Sequence, residues 1–111
     1  EIQLKRLLEN DQHIILVAEE NEQIVGCVHA ASYDCLYFSP LLNLLALAVA
    51  SDFQGKGHGR ALMDALREKG KTAGYTGIRI NSGISRTGAH TFYRRLGCHE
   101  KAEQKRFYWE F

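Results

Sequence analysis

Gln54-Gly55-Lys56-Gly57-His58-Gly59-Arg60-Ala61 is the stretch on which the reading of this chain turns. Three glycines alternate with bulky polar residues immediately ahead of a strongly helical segment. Glycine adopts dihedrals closed to other residues and lets the backbone come close to a ligand. Successive N–H groups in such a turn form a nest for an anion. The helix start behind it adds unpaired donors and a partial positive charge. Lys56, His58 and Arg60 supply further donors from their side chains. The chemistry this favours is the binding of a phosphate or pyrophosphate.

Two nucleotide-binding fingerprints fail on spacing. GxGxxG needs glycine where Arg60 stands. Gly70-Lys71-Thr72 resembles the end of a P-loop, but Ala65 occupies the position of its first glycine. That tripeptide also falls near a helix C-terminus, the wrong end for an anion.

Working outward, residues 57–73 read as a helix with Ala61, Leu62, Ala65, Leu66 and Ala73 recurring on one side and Gly74 as its stop. Upstream, residues 41–50 are almost all Leu, Ala and Val, which periodicity alone assigns neither to strand nor to helix. A loop over 34–40 holds Pro40, the only proline. Residues 13–19 and 23–31 are short apolar runs separated by Glu20-Asn21-Glu22, the pattern of an antiparallel hairpin. Gly26 in the second run marks a bulge or a close backbone approach. Ile2, Leu4, Leu7 and Leu8 suggest the tail of an amphipathic helix over 1–10.

Downstream, residues 76–82 alternate as a strand with Ile78 and Ile80 on one face. Residues 87–96 form a second helix, with Ala89, Phe92, Tyr93 and Leu96 at i, i+3, i+4, i+7 spacing and Gly97 at its end. Residues 98–111 fit two short final strands. The order is that of a mixed α/β (α+β) single domain over 1–111.

The glycine stretch matches the Q/R-x-x-G-x-G/A signature, as Gln54-x-x-Gly57-x-Gly59, and a second segment supports it. Ala89-His90-Thr91-Phe92-Tyr93-Arg94-Arg95-Leu96-Gly97-Cys98 is similar to an A-x-x-F-Y-x-x-x-G-F pattern. Leu47-Ala48-Val49 with Asp52-Phe53-Gln54, and Ile24-Val25-Gly26, complete the series in the right order. Together these resemble the GCN5-related N-acetyltransferase (GNAT) superfamily. The resemblance implies a mostly antiparallel central sheet flanked by helices, with the first strand and helix missing from this chain. It also makes 41–50 a strand, against its helical propensity.

The resemblance further implies acetyl-CoA as co-substrate and transfer of its acetyl group to a primary amine, with a small molecule as the acceptor. Gln54, Gly55, Lys56, Gly57, His58, Gly59 and Arg60 would cradle the pyrophosphate. Leu47 and Val49 would pair through their backbone with the pantetheine arm. The Leu47 N–H would polarise the acetyl carbonyl, and Tyr93 would protonate the departing thiolate. Arg86 stands where many relatives carry an asparagine that contacts the cofactor, and could reach a phosphate instead. Asn43 stands near the position of a glutamate that acts as base in several relatives, so the base is unassigned among His29, Tyr33, Asp34, His90 and a water chain on backbone carbonyls, with base-free transfer from an already neutral amine as a further option.

Composition narrows the alternatives. A net charge of +1 gives no electrostatic reason for a nucleic acid or membrane partner. Three cysteines without a CxxC pair fit a reducing cytoplasm better than a disulfide scaffold. No apolar run approaches the roughly 20 residues of a membrane span, and the scattered histidines have no metal-ligand spacing. The rival reading is a non-catalytic acyl-CoA-binding module that senses the cofactor or regulates a partner. A missing first strand would leave a sheet edge that a second copy could cover, so a homodimer is also expected as an option.

Overall fold

The computed structural model describes residues 12–35, 38–82, 86–100 and 107–110, without the side chains of 34, 35, 38 and 39. The expected helix over 1–10 lies outside the described residues. The chain divides into two compact units, 1–81 and 82–111.

The first unit is built on a sheet ordered β1-β2-β3-β4. Strands β1 (His13–Glu20) and β2 (Gln23–Cys35) pair antiparallel through a two-residue turn, with both Asn21 and Glu22 at positive φ. Two successive left-handed residues match the twist of a hairpin and close it tightly. β3 (Phe38–Val49) pairs antiparallel with β2. The run over 41–50 is thus a strand despite its Leu/Ala content, because a long β2 offers it a partner along its whole length.

Two expectations are corrected by this pairing. The loop expected over 34–40 shrinks, since β2 runs on to Cys35 and β3 already begins at Phe38. Pro40 lies inside β3, where the register with β2 slips between Tyr33 and Cys35, a place that tolerates a residue without N–H. Its carbonyl accepts from the Thr76 N–H (2.9 Å) and the Thr76 hydroxyl (3.1 Å).

After a 3-10 turn over Ser51–Phe53, helix α1 (His58–Thr72) returns the chain to β4 (Ile78–Arg79), parallel to β3. β4 is much shorter than the strand expected over 76–82 and pairs only with Leu42 and Asn43.

The core lies between α1 and one sheet face. Leu62, Met63 and Leu66 are buried with Val25, Val28, Ala30 and Leu42. Each large side chain of this set stabilises by roughly 1.5–3 kcal/mol. The buried stripe of α1 is Leu62, Met63, Leu66 and Gly70, while Ala61, Ala65 and Ala73 are exposed. Alanine contributes little area either way, so the bulky residues set the rotation of the helix. A Cβ on Gly70 would come within 2.9 Å of Leu42 Cδ1, and one on Gly26 within 3.0 Å of the Ala48 carbonyl. Gly26 also faces Leu62 Cδ1 of α1, at 3.3 Å from such a Cβ, so glycine permits close approach of helix and sheet near both ends of α1.

In the second unit, α2 (Thr87–Leu96) has the expected bounds. It ends at Gly97, whose φ of 98° lets the chain turn back as Gly97 N–H bonds the Arg94 carbonyl and Cys98 N–H that of Tyr93. Among the described residues after it, 98–100 and 107–110, no strand is present. The two final strands expected there are absent from those residues.

Candidate functional site

Three features of the first unit meet at the end of the sheet where β3 stops. The first is a free strand edge. Ala50 donates its N–H to the Val25 carbonyl (2.8 Å), on the β2 side. Backbone groups alternate between the two edges of a strand. Leu47 and Val49 therefore point their N–H and C=O groups to the other edge, away from β2. Among the described residues no strand pairs with that edge beyond Asn43, because β4 ends at Arg79. A bulge sharpens the effect. His29 faces Ala46 and Ala30 faces Leu44, which leaves Leu45 as one extra residue in β3.

The second feature is the glycine loop. Gly55 (φ 79°) and Gly57 (φ 89°) are both left-handed, a conformation that disfavours residues with a Cβ. Gly57 is the N-cap of α1, and no side chain caps that helix start. The first helical turn therefore directs its N–H groups out of the loop, as anion binding requires. Gln54 reaches back and donates from Nε2 to the Val49 carbonyl (3.0 Å), joining the loop to the free edge.

The third feature was not anticipated from sequence. Glu20, the last residue of β1, accepts a hydrogen bond from His58 Nε2 (2.7 Å) and pairs with Lys56 Nζ (3.5 Å). The His58 bond is the main reason the Glu20 carboxyl ionises below its ordinary range. Lys56 also lies 5.0 Å from the centroid of the Phe53 ring, a cation–π contact. His58 and Lys56, two side chains expected to face a phosphate, are thus held by a carboxylate 38 and 36 residues upstream. Nothing local could have signalled it, since Glu20 reads as a turn residue. Arg60 pairs along the helix with Asp64 (3.6 Å) on an exposed face.

The candidate bases fall on different ground. His29 and His13 share a hydrogen bond across β1 and β2, Nε2 to Nδ1, at 2.9 Å. Burial, then the neighbouring His13 charge, pushes the His29 pKa below its ordinary value. Tyr33 carries the Arg79 guanidinium over its ring at 4.7 Å. The Asn43 Oδ1 is buried and has no hydrogen-bond partner among the described residues. The Asp34 side chain lies outside them.

The His29 shift makes a prediction. A histidine with a lowered folded pKa binds fewer protons folded than unfolded, so stability rises with pH. That contribution is complete above the ordinary value of 6.5 and is lost as pH falls through the folded value. Melting curves between pH 7.5 and about pH 5 should show the unsubstituted chain losing more stability than His29→Gln. Parallel losses would remove the coupling.

In the second unit, Tyr93 is half-buried on α2. Burial raises its pKa above the ordinary 10.0, against a smaller opposing pull from the charge of Arg86. The phenol is therefore held in its proton-bearing form. Arg86 occupies the N-cap of α2 and is exposed. His90 follows on the same helix. Among the described residues no group of His, Cys, Asp and Glu could hold a metal ion. No helix there is long and apolar enough to cross a membrane.

A bulged strand with no described strand on its outer edge runs through a glycine turn into an uncapped helix, and so presents backbone groups able to pair with an extended chain and an anion. The comparisons specify the family. The family model for the acetyltransferase (GNAT) domain matches residues 11–99. The chain belongs to the GNAT acetyltransferase family. It is 32% identical to an uncharacterised N-acetyltransferase of Methanocaldococcus jannaschii, over 87% of this chain and 44% of that protein. It thus spans about half the length of such relatives. Among solved structures, its fold is similar to that of an aminoglycoside acetyltransferase from an uncultured soil metagenomic sample in complex with sisomicin. The TM-score is 0.88 at 22% identity, over 99% of this chain and 73% of that one. AAC(6')-Iy in complex with the bisubstrate analogue CoA-S-monomethyl-acetylneamine has a TM-score of 0.88 at 20% identity, over 99% and 77%.

Proposed function

We propose that residues 1–111 carry the cofactor-binding and catalytic domain of a cytoplasmic N-acetyltransferase that moves the acetyl group of acetyl-CoA to a primary amine of a small molecule. The observation that carries the reading is the free β3 edge, with Leu47 and Val49 facing outward, running into a glycine-built, uncapped helix start. A pantetheine arm has amides that can pair with such an edge, as an added strand would. A pyrophosphate suits N–H groups converging from a nest and a helix terminus. The site residues thus fit the group that the family uses.

Acetyl-CoA supplies the activated thioester. The N–H groups of Gly55 to Gly59 bind the pyrophosphate, with Arg60 adding positive charge; for Arg86, in the second unit, only the family resemblance gives the same part. The Leu47 N–H polarises the acetyl carbonyl, where negative charge develops as the amine attacks. The new N–C bond forms as the C–S bond breaks; the nitrogen gives its surplus proton to water, and the sulfur takes one from Tyr93, the acid the family resemblance assigns, which water then reprotonates. The phenol carries its proton at neutral pH, as that role requires, and burial makes it a weaker donor than an exposed tyrosine. The amine must arrive neutral. An acceptor with a low enough pKa does so in water, and the base for the rest is unassigned. Aminoglycoside acetyltransferases are among its fold relatives, which supports a small-molecule acceptor.

A second reading is a non-catalytic acyl-CoA-binding module, favoured by Asn43 in place of a glutamate base. Calorimetric titration with acetyl-CoA, and separately with NAD and ATP, tests both readings. Binding of acetyl-CoA alone, followed by release of free thiol with a panel of amines, is the expected result. Binding without turnover on any amine would favour the module, and no binding would remove both.

A further inference from the structure

The pair of contacts made by Glu20 has a use that the cofactor reading does not assign. Resting on that reading, we propose that Glu20 is a positioning residue for the pyrophosphate site. It holds the glycine loop in its anion-binding form by anchoring Lys56 and His58, the residues on either side of Gly57.

A loop that alternates glycine with polar residues is conformationally free, and ordering glycine costs more entropy than ordering any other residue. A nest built this way needs a restraint from outside itself. Within the loop little supplies one: the helix start has no side-chain cap. Gln54 ties only the loop's beginning to Val49. Glu20 restrains the other half. Its two oxygens take different partners, Oε2 facing His58 Nε2 at 2.7 Å and Oε1 facing Lys56 Nζ at 3.5 Å. A single carboxylate thus straddles the left-handed Gly57.

The anchor is itself well placed. Glu20 pairs with Gln23 across the two-residue turn that closes β1 on β2. On the far side, the Phe53 ring lies edge-on to the His58 ring at 6.5 Å and beneath Lys56. Lys56 and His58 therefore each contact both the Phe53 ring and the Glu20 carboxylate, and the loop's backbone N–H groups are left as the anion donors. Preorganisation of this kind raises affinity by lowering the ordering cost of binding.

Charge and position predict opposite signs. As a charge alone, Glu20 repels a pyrophosphate, so Glu20→Gln would tighten binding. As a positioning residue, its loss loosens the loop and weakens binding.

The experiment compares the unsubstituted chain with Glu20→Gln, and with Lys56→Gln/His58→Gln, which leaves Glu20 in place. Affinity for acetyl-CoA is measured by calorimetry, and amide hydrogen exchange over residues 55–59 is measured without ligand. Glu20→Gln should raise Kd roughly three- to tenfold and speed exchange in the loop, the signature of lost preorganisation. The amine KM and the melting temperature should stay close to those of the unsubstituted chain. The double variant should speed exchange equally. Unchanged or tighter binding by Glu20→Gln would overturn the proposal, as would unchanged loop exchange. Absence of acetyl-CoA binding by the unsubstituted chain would strike the cofactor reading instead. The exchange comparison would then still decide whether Glu20 holds the loop.

Discussion

Gly57→Val should cost this chain nearly all of its affinity for acetyl-CoA while leaving the fold in place. Gly57 sits at φ 89°, and a Cβ built there would meet no protein atom within 4 Å. The penalty is therefore conformational rather than steric crowding. A β-branched residue held in the left-handed region costs roughly 1–3 kcal/mol, and the loop will escape it by changing shape. The escape destroys the nest, because the N–H groups no longer converge on one point. The expected loss of affinity is on the order of a hundredfold, combining the strain with the lost donors. The core of Leu62, Met63 and Leu66 lies one to two turns further along α1 and is untouched. Calorimetry and a thermal melt together check the claim. Retained tight binding with an intact melt would mean that the pyrophosphate is not held by this loop.

Tyr93→Phe should act on turnover and hardly at all on binding. General acid catalysis contributes typically about 10²- to 10⁴-fold, and removing the hydroxyl removes that contribution while keeping the ring. The half-buried ring sits edge-on to Phe92 at a centroid distance of 5.4 Å, a contact phenylalanine preserves. A fall in kcat of about a hundredfold or more, with the Kd for acetyl-CoA unchanged, is therefore expected. Amines whose thiolate leaving step is not rate-limiting would show less. The sign of the pKa shift adds a check. Because burial raises the phenol above 10.0, the acid form persists through mildly alkaline pH. The unsubstituted enzyme should therefore keep its kcat there. Equal turnover by Tyr93→Phe would take the acid role from this residue.

Much of this architecture was legible in the chain because it rests on local rules. Helix α2 was readable residue by residue, since its i, i+3, i+4 stripe and the glycine after Leu96 are both local signals. The hairpin was readable for the same reason, as a polar turn between two β-branched runs. Burial on α1 was less so. Alanines counted as core turned out exposed, because periodicity gives a face but not the angle at which bulky neighbours settle it. The run over 41–50 had no readable state of its own, and only the motif resemblance pointed to a strand.

What the sequence determined by itself was the order of elements from β1 to α2, the glycine loop at a helix start, and the family to which both belong. These depend on residue type and spacing over a few turns of chain. The tertiary structure alone decided three further things. It set the length of β4, which leaves no described strand on the edge of β3 at Leu47 and Val49. It placed the bulge at Leu45, a matter of register between strands. It also brought Glu20 to Lys56 and His58 across more than thirty residues. Each depends on where distant segments meet. That meeting is fixed by the packing of α1 on the sheet through Leu42, Leu62 and Gly70, and by the hairpin that ends at Glu20.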